Sequence, residues 1–484
     1  MVGSVEFEPC HNWRYLPSLS PFIAVASSIA LATSFIRLKK DRYQMIHKAA
    51  PSGVFVNQMI PILGAGLAGL SAAYHLKGEH IILEKDRKVG GLCKSVDING
   101  YVFDYAPHIL FTKDDYVRAL FKDLLKGNLY RHIRKSYIYL EDVYVRYPFE
   151  VNLNTLPENI IQECIEGVLN RKTTEPTNFE EWIYSTFGDG IAKHYMIPYN
   201  QKIWKYDLSR MNIDWIRGRV PSPSVEEMKK GAAGTLRQDY GPNAEFMYPK
   251  HDGIGALAKQ LSRDLNASLS SEVVEVKPSE TEVRVKYRNE GEIKETLSER
   301  IISSIPLPEL VRILHDPPEE VSKAADSLVY NSLVCVNIGV KRPDIIDKHW
   351  LYFPEEKFVF NRASFPMNFS EYTTPRGRSS ILVDVTHRED SIDHDRIRDR
   401  VIEDLTKTNI ITERDEIEVC NTSSFKYAYV IYDLDHKKNV GIIHDYLESV
   451  NIIPIGRFGE WEYFNMDKAI ISGKKAASRV RGVT

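Results

Sequence analysis

The chain has 484 residues, 43% apolar and 27% charged, a balance that excludes a disordered or collagen-like chain and suits two to four domains or one large composite fold. Its 63 basic and 66 acidic residues leave a net charge of −3, which argues against a broad nucleic-acid surface, and its negative mean hydropathy excludes a polytopic membrane protein. Five scattered cysteines (Cys10, Cys93, Cys164, Cys335, Cys420) form no CxxC pair, so no disulfide framework and no metal site are expected, and a reducing, cytoplasmic setting fits.

From Tyr15 to Ile36 no residue is charged, but the cleanly apolar part, Phe22 to Ile36, is only 15 residues long. A helical membrane span needs about 20. Ala30-Leu-Ala32 resembles a cleavage site, yet the segment opens on Glu6 and Glu8 instead of a basic start. A marginal anchor, a targeting piece and an extension ahead of a start at Met59 all stay open. Of these, a non-domain extension over residues 1–58 is the favoured expectation.

Ile60-Pro-Ile-Leu63 reads as a buried parallel strand, followed by Gly64-Ala-Gly66-Leu-Ala-Gly69 and a helical run to Leu76. A second strand, His80-Ile-Ile-Leu83, ends on Glu84. This order is that of a dinucleotide site. Gly64 permits the turn, Gly66 admits a pyrophosphate, Gly69 lets helix meet strand, and Glu84 accepts ribose hydroxyls. A second glycine pair follows in Arg87-Lys-Val-Gly-Gly91. With it, the segment resembles the extended fingerprint of FAD-binding oxidases of the amine oxidase and protoporphyrinogen oxidase type.

Further pieces of such a fold recur downstream. Phe246-Met-Tyr-Pro249 reads as a strand before a helix, residues 273–276 and 283–287 as paired strands, and Arg300 to Ile305 as a strand stopped by Pro306. Asn451 to Ile455 is another strand, meeting Gly456-Arg457-Phe-Gly459, with a helix expected from about Asn465. The expected architecture is α/β: a discontinuous Rossmann-like FAD-binding domain over residues 59–113, 242–328 and 401–484. It is interrupted by a mainly helical substrate-binding insertion (114–241) and an antiparallel substrate sheet (329–400). Asn178-Phe-Glu-Glu181 resembles a capping box. The charged run Arg388 to Arg400 reads as a solvated helix face.

Five stretches are more specific. They are Arg146-Tyr-Pro-Phe149; Phe187-Gly-Asp-Gly190 with Tyr195-Met-Ile-Pro-Tyr-Asn200 and Trp204; Trp215 with Arg219-Val-Pro221; Trp350-Leu-Tyr-Phe-Pro354 with Phe360-Asn-Arg-Ala363; and Gly456-Arg457-Phe-Gly459 with Trp461 and Tyr463. In this set the chain resembles the UDP-galactopyranose mutases from about Met59 onward. The resemblance implies interconversion of pyranose and furanose forms of a UDP-sugar, for cell-surface polysaccharide biosynthesis, through a covalent adduct at N5 of reduced FAD. It also implies roles. Arg219 and Arg362 would hold the diphosphate, joined by Tyr147, Tyr352 and Tyr463. Tyr195, Tyr199, Asn200 and Trp204 would form a uridine pocket. His108 would sit against the flavin, where Ala106-Pro107 replaces the family's glycine pair and stiffens the loop.

The implied catalytic residues are Arg219, Arg362, His108, Tyr352 and Tyr463. The implied cofactor set is Gly64, Gly66, Leu67, Ala68, Gly69, Glu84, Lys85, Lys88, Gly90, Gly91, Leu92, His108, Val274, Gly456, Arg457, Tyr463, Asn465 and Met466. The expected partner is the UDP-sugar, and a homo-oligomer is compatible with the reading. The physics agrees, since arginine offers a diphosphate a planar, permanently charged fork. Each residue also has a plain structural reading: arginines in surface ion pairs, aromatic rings in the core, His108 as an ordinary buried histidine. The competing function is an FAD-dependent amine or protoporphyrinogen oxidase, which would need an apolar chamber instead. Tyrosine's excess, 26 against 19 phenylalanines, suits a wet ligand-lined cleft.

Overall fold

The computed structural model describes residues 59–78, 80–216, 219–236 and 243–482. The extension expected over residues 1–58 lies outside them. Two sheets organise the described chain. The first is parallel, in the spatial order Ile452–Pro454, Ile301–Ser303, Ile60–Leu63, His80–Leu83, Ala267–Ser268. Its central strands are covered on both faces, which is why they read as unbroken apolar runs: Ile62, Leu63, Ile301 and Ile302 are fully buried. Leu67–Leu76 and Met466–Arg481 pack together on it, and Ser71 Oγ donates to the Ile470 carbonyl at 2.6 Å.

The second sheet has seven strands, in the order Ile417–Val430, Tyr330–Val340, Ser379–His387, Arg362–Ser364, Trp350–Tyr352, Ser136–Leu140, Val143–Arg146. It is antiparallel except where Trp350–Tyr352 lies parallel to Ser136–Leu140. Two expectations change here. The sheet expected over 329–400 continues to residue 430, because Ile417–Val430 pairs with Tyr330–Val340. That strand is half-exposed along much of its length, so it lacks the apolar run that marks a buried strand. The insertion expected to be mainly helical also contributes two strands to this sheet, Ser136–Leu140 and Val143–Arg146.

The rest of that insertion is helical, with Glu158–Asn170, Phe179–Ile191, Ile197–Trp204 and Val225–Ala232. Asn178 caps Phe179–Ile191 by accepting from the Glu181 N–H at 3.0 Å, while the Glu181 carboxylate accepts from Thr177 instead of closing a box on Asn178. Pro198, expected to kink a helix shared by Tyr195 and Tyr199, stands just after a change of helix type. A π-turn over Ala192–Met196 precedes it, and Pro198 falls in the first turn of the next helix, where its missing N–H is harmless. The charged run lies on His394–Lys407, whose inner face buries Val401 and Leu405. Among the described residues no helix is long and apolar enough to cross a membrane.

Candidate active site

A cavity of about 1160 Å³ runs from the glycine turn at the end of Ile60–Leu63 to the seven-stranded sheet. That exceeds the usual range for one small ligand, roughly 300–1,000 Å³. At its first end Gly64 adopts φ +93°, open only to glycine without strain. A Cβ on Gly66 would meet nothing within 4 Å, so backbone is bare towards the cavity there. The helix beginning at Leu67 has no side-chain cap and no acid in its first turn. Its free N–H groups are an anion site. Glu84 is buried, accepting from the Ala65 N–H at 2.6 Å and the Asp86 N–H at 2.9 Å. The second glycine pair docks on the first, with Gly90 N–H donating to the Ala65 carbonyl at 2.8 Å.

At the far end the buried Arg457 guanidinium donates to the carbonyls of Phe464 (3.1 Å) and Ala428 (2.8 Å). It lies 4.6 Å from the Tyr463 ring centre. Its Nε has no partner, and among the described residues no carboxylate faces it. Burial pulls its pKa down, yet a guanidinium stays charged. A buried cation with an unmet donor, between a bare glycine turn and the uncapped start of Met466–Arg481, fits an anionic dinucleotide with a ring that accepts charge.

His108 lines the same cavity. Its Nδ1 lies 2.7 Å from the Ala106 carbonyl. A carbonyl only accepts, so Nδ1 carries the proton and Nε2 keeps a lone pair. Burial, with Arg457 and Arg362 nearby, pushes its pKa down to about 4. The imidazole is therefore neutral at physiological pH.

The sheet supplies the opposite wall. Arg362 is held by the fully buried Asp384, with Nε–H donating to Oδ2 at 2.7 Å and Nη2 in an ion pair with the same oxygen at 2.5 Å. Burial raises the pKa of the Asp384 carboxyl, and the Arg362 guanidinium offsets only part of that rise. Arg219 donates to the carbonyls of Trp215 (2.8 Å) and Tyr463, its guanidinium 5.0 Å from the Tyr463 ring centre. Tyr147 and Tyr352 are ring neighbours at 5.4 Å, and Tyr429 and Tyr463 at 5.9 Å. Arg219, Arg362, Tyr147, Tyr352, Tyr429 and Tyr463 all line the cavity. Burial raises the pKa of Tyr147, Tyr352 and Tyr429, so these phenols keep their protons.

Not every expected residue reaches it. Tyr195, Asn200 and Trp204 are packed in the core instead. The Asn200 amide is spent internally, donating to the Met196 carbonyl at 2.8 Å and accepting from the Trp204 indole N–H at 3.0 Å. Tyr199 links the two regions, stacked on Tyr195 at 5.5 Å and edge-on to Tyr352 at 5.3 Å. Lys88 is exposed beside the cavity, not lining it. Val274 falls on a register shift between Val273 and Glu275, and Val273 faces the cavity in its place. Gly69 acts through packing alone.

Asp384 and Tyr429 belong to this wall without having been singled out. The signal for Asp384 was available, since a lone acid inside the apolar run Ile381-Leu-Val-Asp-Val-Thr386 must be paired or neutral. Glu150 is a further surprise. It is buried beside the tyrosines, its Oε2 has no partner, and burial pushes its pKa up to about 7 from an ordinary 4.5. Its favourable protonation in the fold is complete at low pH and is lost as pH rises through about 7. Glu150→Gln should therefore gain on the wild type between pH 6 and pH 8 by about 1 kcal/mol. Thermal melts at the two pH values read this directly, and a constant gap would show that the carboxyl does not ionise in that interval.

Sheet order, glycine turn and acid define a dinucleotide-binding protein. The chain matches the flavin containing amine oxidoreductases over residues 67–481 and belongs to that family. It is similar in structure to reduced UDP-galactopyranose mutase, with a TM-score of 0.82 and 26% identity, covering 88% of this chain and 96% of that one. A putative protoporphyrinogen oxidase from Exiguobacterium sp. 255-15 aligns at 0.69 with 15% identity, over 88% and 98% of the two chains. A CLA-producing fatty acid isomerase from P. acnes aligns at 0.59 with 14% identity, over 88% and 99%. These last two share the fold. A stretch of 59 residues, 12% of this chain, is 42% identical to an uncharacterized protein in the nifH2 3′ region of Methanothermococcus thermolithotrophicus, spanning 57% of that relative. The protein is a flavoenzyme of this fold.

Proposed function

We propose that this flavoenzyme binds FAD and interconverts the pyranose and furanose forms of a UDP-sugar. The observation that carries the reading is the meeting of Arg219 and Arg362, from separate insertions, with a group of protonated phenols on the cavity that begins at the dinucleotide turn. The structural likeness to UDP-galactopyranose mutase supports it. An oxidase of apolar substrates has no use for two guanidiniums at this wall.

Reduced FAD, when bound, supplies a nucleophilic nitrogen for the anomeric carbon. The chain's own residues do the rest. Arg219 and Arg362 hold the diphosphate and stabilise the charge it gains on leaving. Tyr147, Tyr352 and Tyr463 donate neutral hydrogen bonds to its oxygens. Neutral His108 offers Nε2 as an acceptor, and the walls keep water from the reacting carbon. Dithionite-reduced enzyme should convert UDP-galactopyranose to the furanose, followed by chromatography of the nucleotide sugars. Oxygen uptake with amines or porphyrinogens and no UDP binding would reverse the assignment to an oxidase.

A further inference from the structure

Arg219 and Tyr463 both lie on the cavity wall, and the first leans on the second. Arg219 Nη2 donates to the Tyr463 carbonyl, and the guanidinium lies 5.0 Å from that ring's centre. Whatever fixes the backbone at Tyr463 therefore also places a guanidinium.

The turn that carries Tyr463 needs fixing. Trp461 adopts φ +57°, in the left-handed region that a bulky side chain disfavours. Such a residue persists only where its surroundings over-determine it. Two side chains behind the wall do so here. His436 Nε2 lies 2.9 Å from the Trp461 carbonyl and must carry the proton, since a carbonyl only accepts. The Tyr432 hydroxyl accepts from the Tyr463 N–H at 2.8 Å and donates to the Glu462 carboxylate. A phenol has one proton. With that proton committed to Glu462, its lone pairs are left for the Tyr463 N–H. Burial and Glu462 raise the Tyr432 pKa, so the proton stays.

Tyr432 is also tied to the segment that leads to Arg219. It is buried and stacked on His436 at 4.1 Å. Its carbonyl accepts from the Asn212 N–H at 2.8 Å, and Asn212 Nδ2 donates to the next carbonyl, that of Asp433, at 2.8 Å. One residue thus links the C-terminal turn to the helical insertion.

We infer that Tyr432 and Glu462 are positioning residues for the diphosphate, acting through Tyr463 on Arg219. The inference rests on the nucleotide-sugar reading above.

The test is a UDP titration of the flavin-loaded enzyme, followed through flavin absorbance. Tyr432→Phe keeps the ring and its stacking and removes only the hydroxyl. It should weaken UDP about tenfold, the worth of one hydrogen bond to a charged group. The flavin-to-protein ratio should not change. In an Arg219→Ala background the same substitution should weaken UDP less than about twofold, because the group it positions is gone. Glu462→Gln, still an acceptor, should weaken UDP less than Glu462→Ala does. A lower melting temperature with UDP affinity unchanged would make Tyr432 structural only. Equal losses in both backgrounds would separate it from Arg219, and lost flavin would assign the turn to the cofactor. Glu462→Gln binding no better than Glu462→Ala would remove the carboxylate's part. Each of these results overturns the inference while UDP binding by the wild type stands. A wild type that binds no UDP overturns the nucleotide-sugar reading, and this inference with it.

Discussion

Arg362→Ala should lose conversion by about 10²–10³-fold and should also melt at a lower temperature. Two separate costs produce this result. The first, on the nucleotide-sugar chemistry proposed above, is the loss of a charged fork on the leaving diphosphate, of the size seen when one preorganised donor is removed. The second concerns Asp384, which is fully buried. Without the guanidinium it is an unpaired buried acid, and breaking such a pair typically costs about 3–5 kcal/mol. The two costs separate in a double variant. Arg362→Ala with Asp384→Asn should recover most of the melting temperature and none of the turnover. Arg362→Lys should fall between, keeping charge but not the planar fork whose Nε–H bonds Asp384. A double variant that stayed as unstable as the single one would show that Asp384 is not the source of the instability.

Alanine at Gly69 and at Gly66 should fail in different ways. A Cβ on Gly69 would lie 2.0 Å from the Gly64 carbonyl oxygen. The helix must then move off the strand, at a cost of about 1–3 kcal/mol or more, and the turn opens. Gly69→Ala should melt early and retain no flavin. Gly66 has φ −69° and ψ 175°, which any residue adopts, and its Cβ would meet no protein atom. Gly66→Ala should fold as the wild type does, yet hold flavin weakly if the proposed pyrophosphate path crosses this bare turn. The ratio of flavin to protein absorbance, read beside apo-protein melts, distinguishes the two. Normal flavin content in Gly66→Ala would mean that the pyrophosphate does not cross this turn.

The contrast between these glycines shows why the first end of the cavity was legible in sequence. Its chemistry is local: Gly64, Gly66, Gly69 and Glu84 act within one strand–helix–strand unit, so spacing alone carries the geometry. Arg219 and Arg362 were legible through their flanking motifs; Asp384 stood out as an acid in an apolar run, but its pairing with Arg362 did not, because pairing across a sheet has no fixed spacing. Tyr195, Asn200 and Trp204 show the complementary limit. They were read from motif resemblance, and a motif does not say whether a helical face meets a cavity or a core. The strand Ile417–Val430 escaped for a related reason, since its half-exposed surface leaves no apolar signature.

The contact between Ser71 and Ile470 joins residues 399 positions apart. At ribosomal speeds of about 5–20 residues per second, roughly 20–80 s pass between the emergence of one and the other. The glycine turn is thus synthesised early and waits, without its second helix or Arg457, for a partner made much later. Cofactor capture is consequently a late event in the life of each chain. Until then the face of Leu67–Leu76 that Met466–Arg481 covers in the finished fold has no partner to bury it.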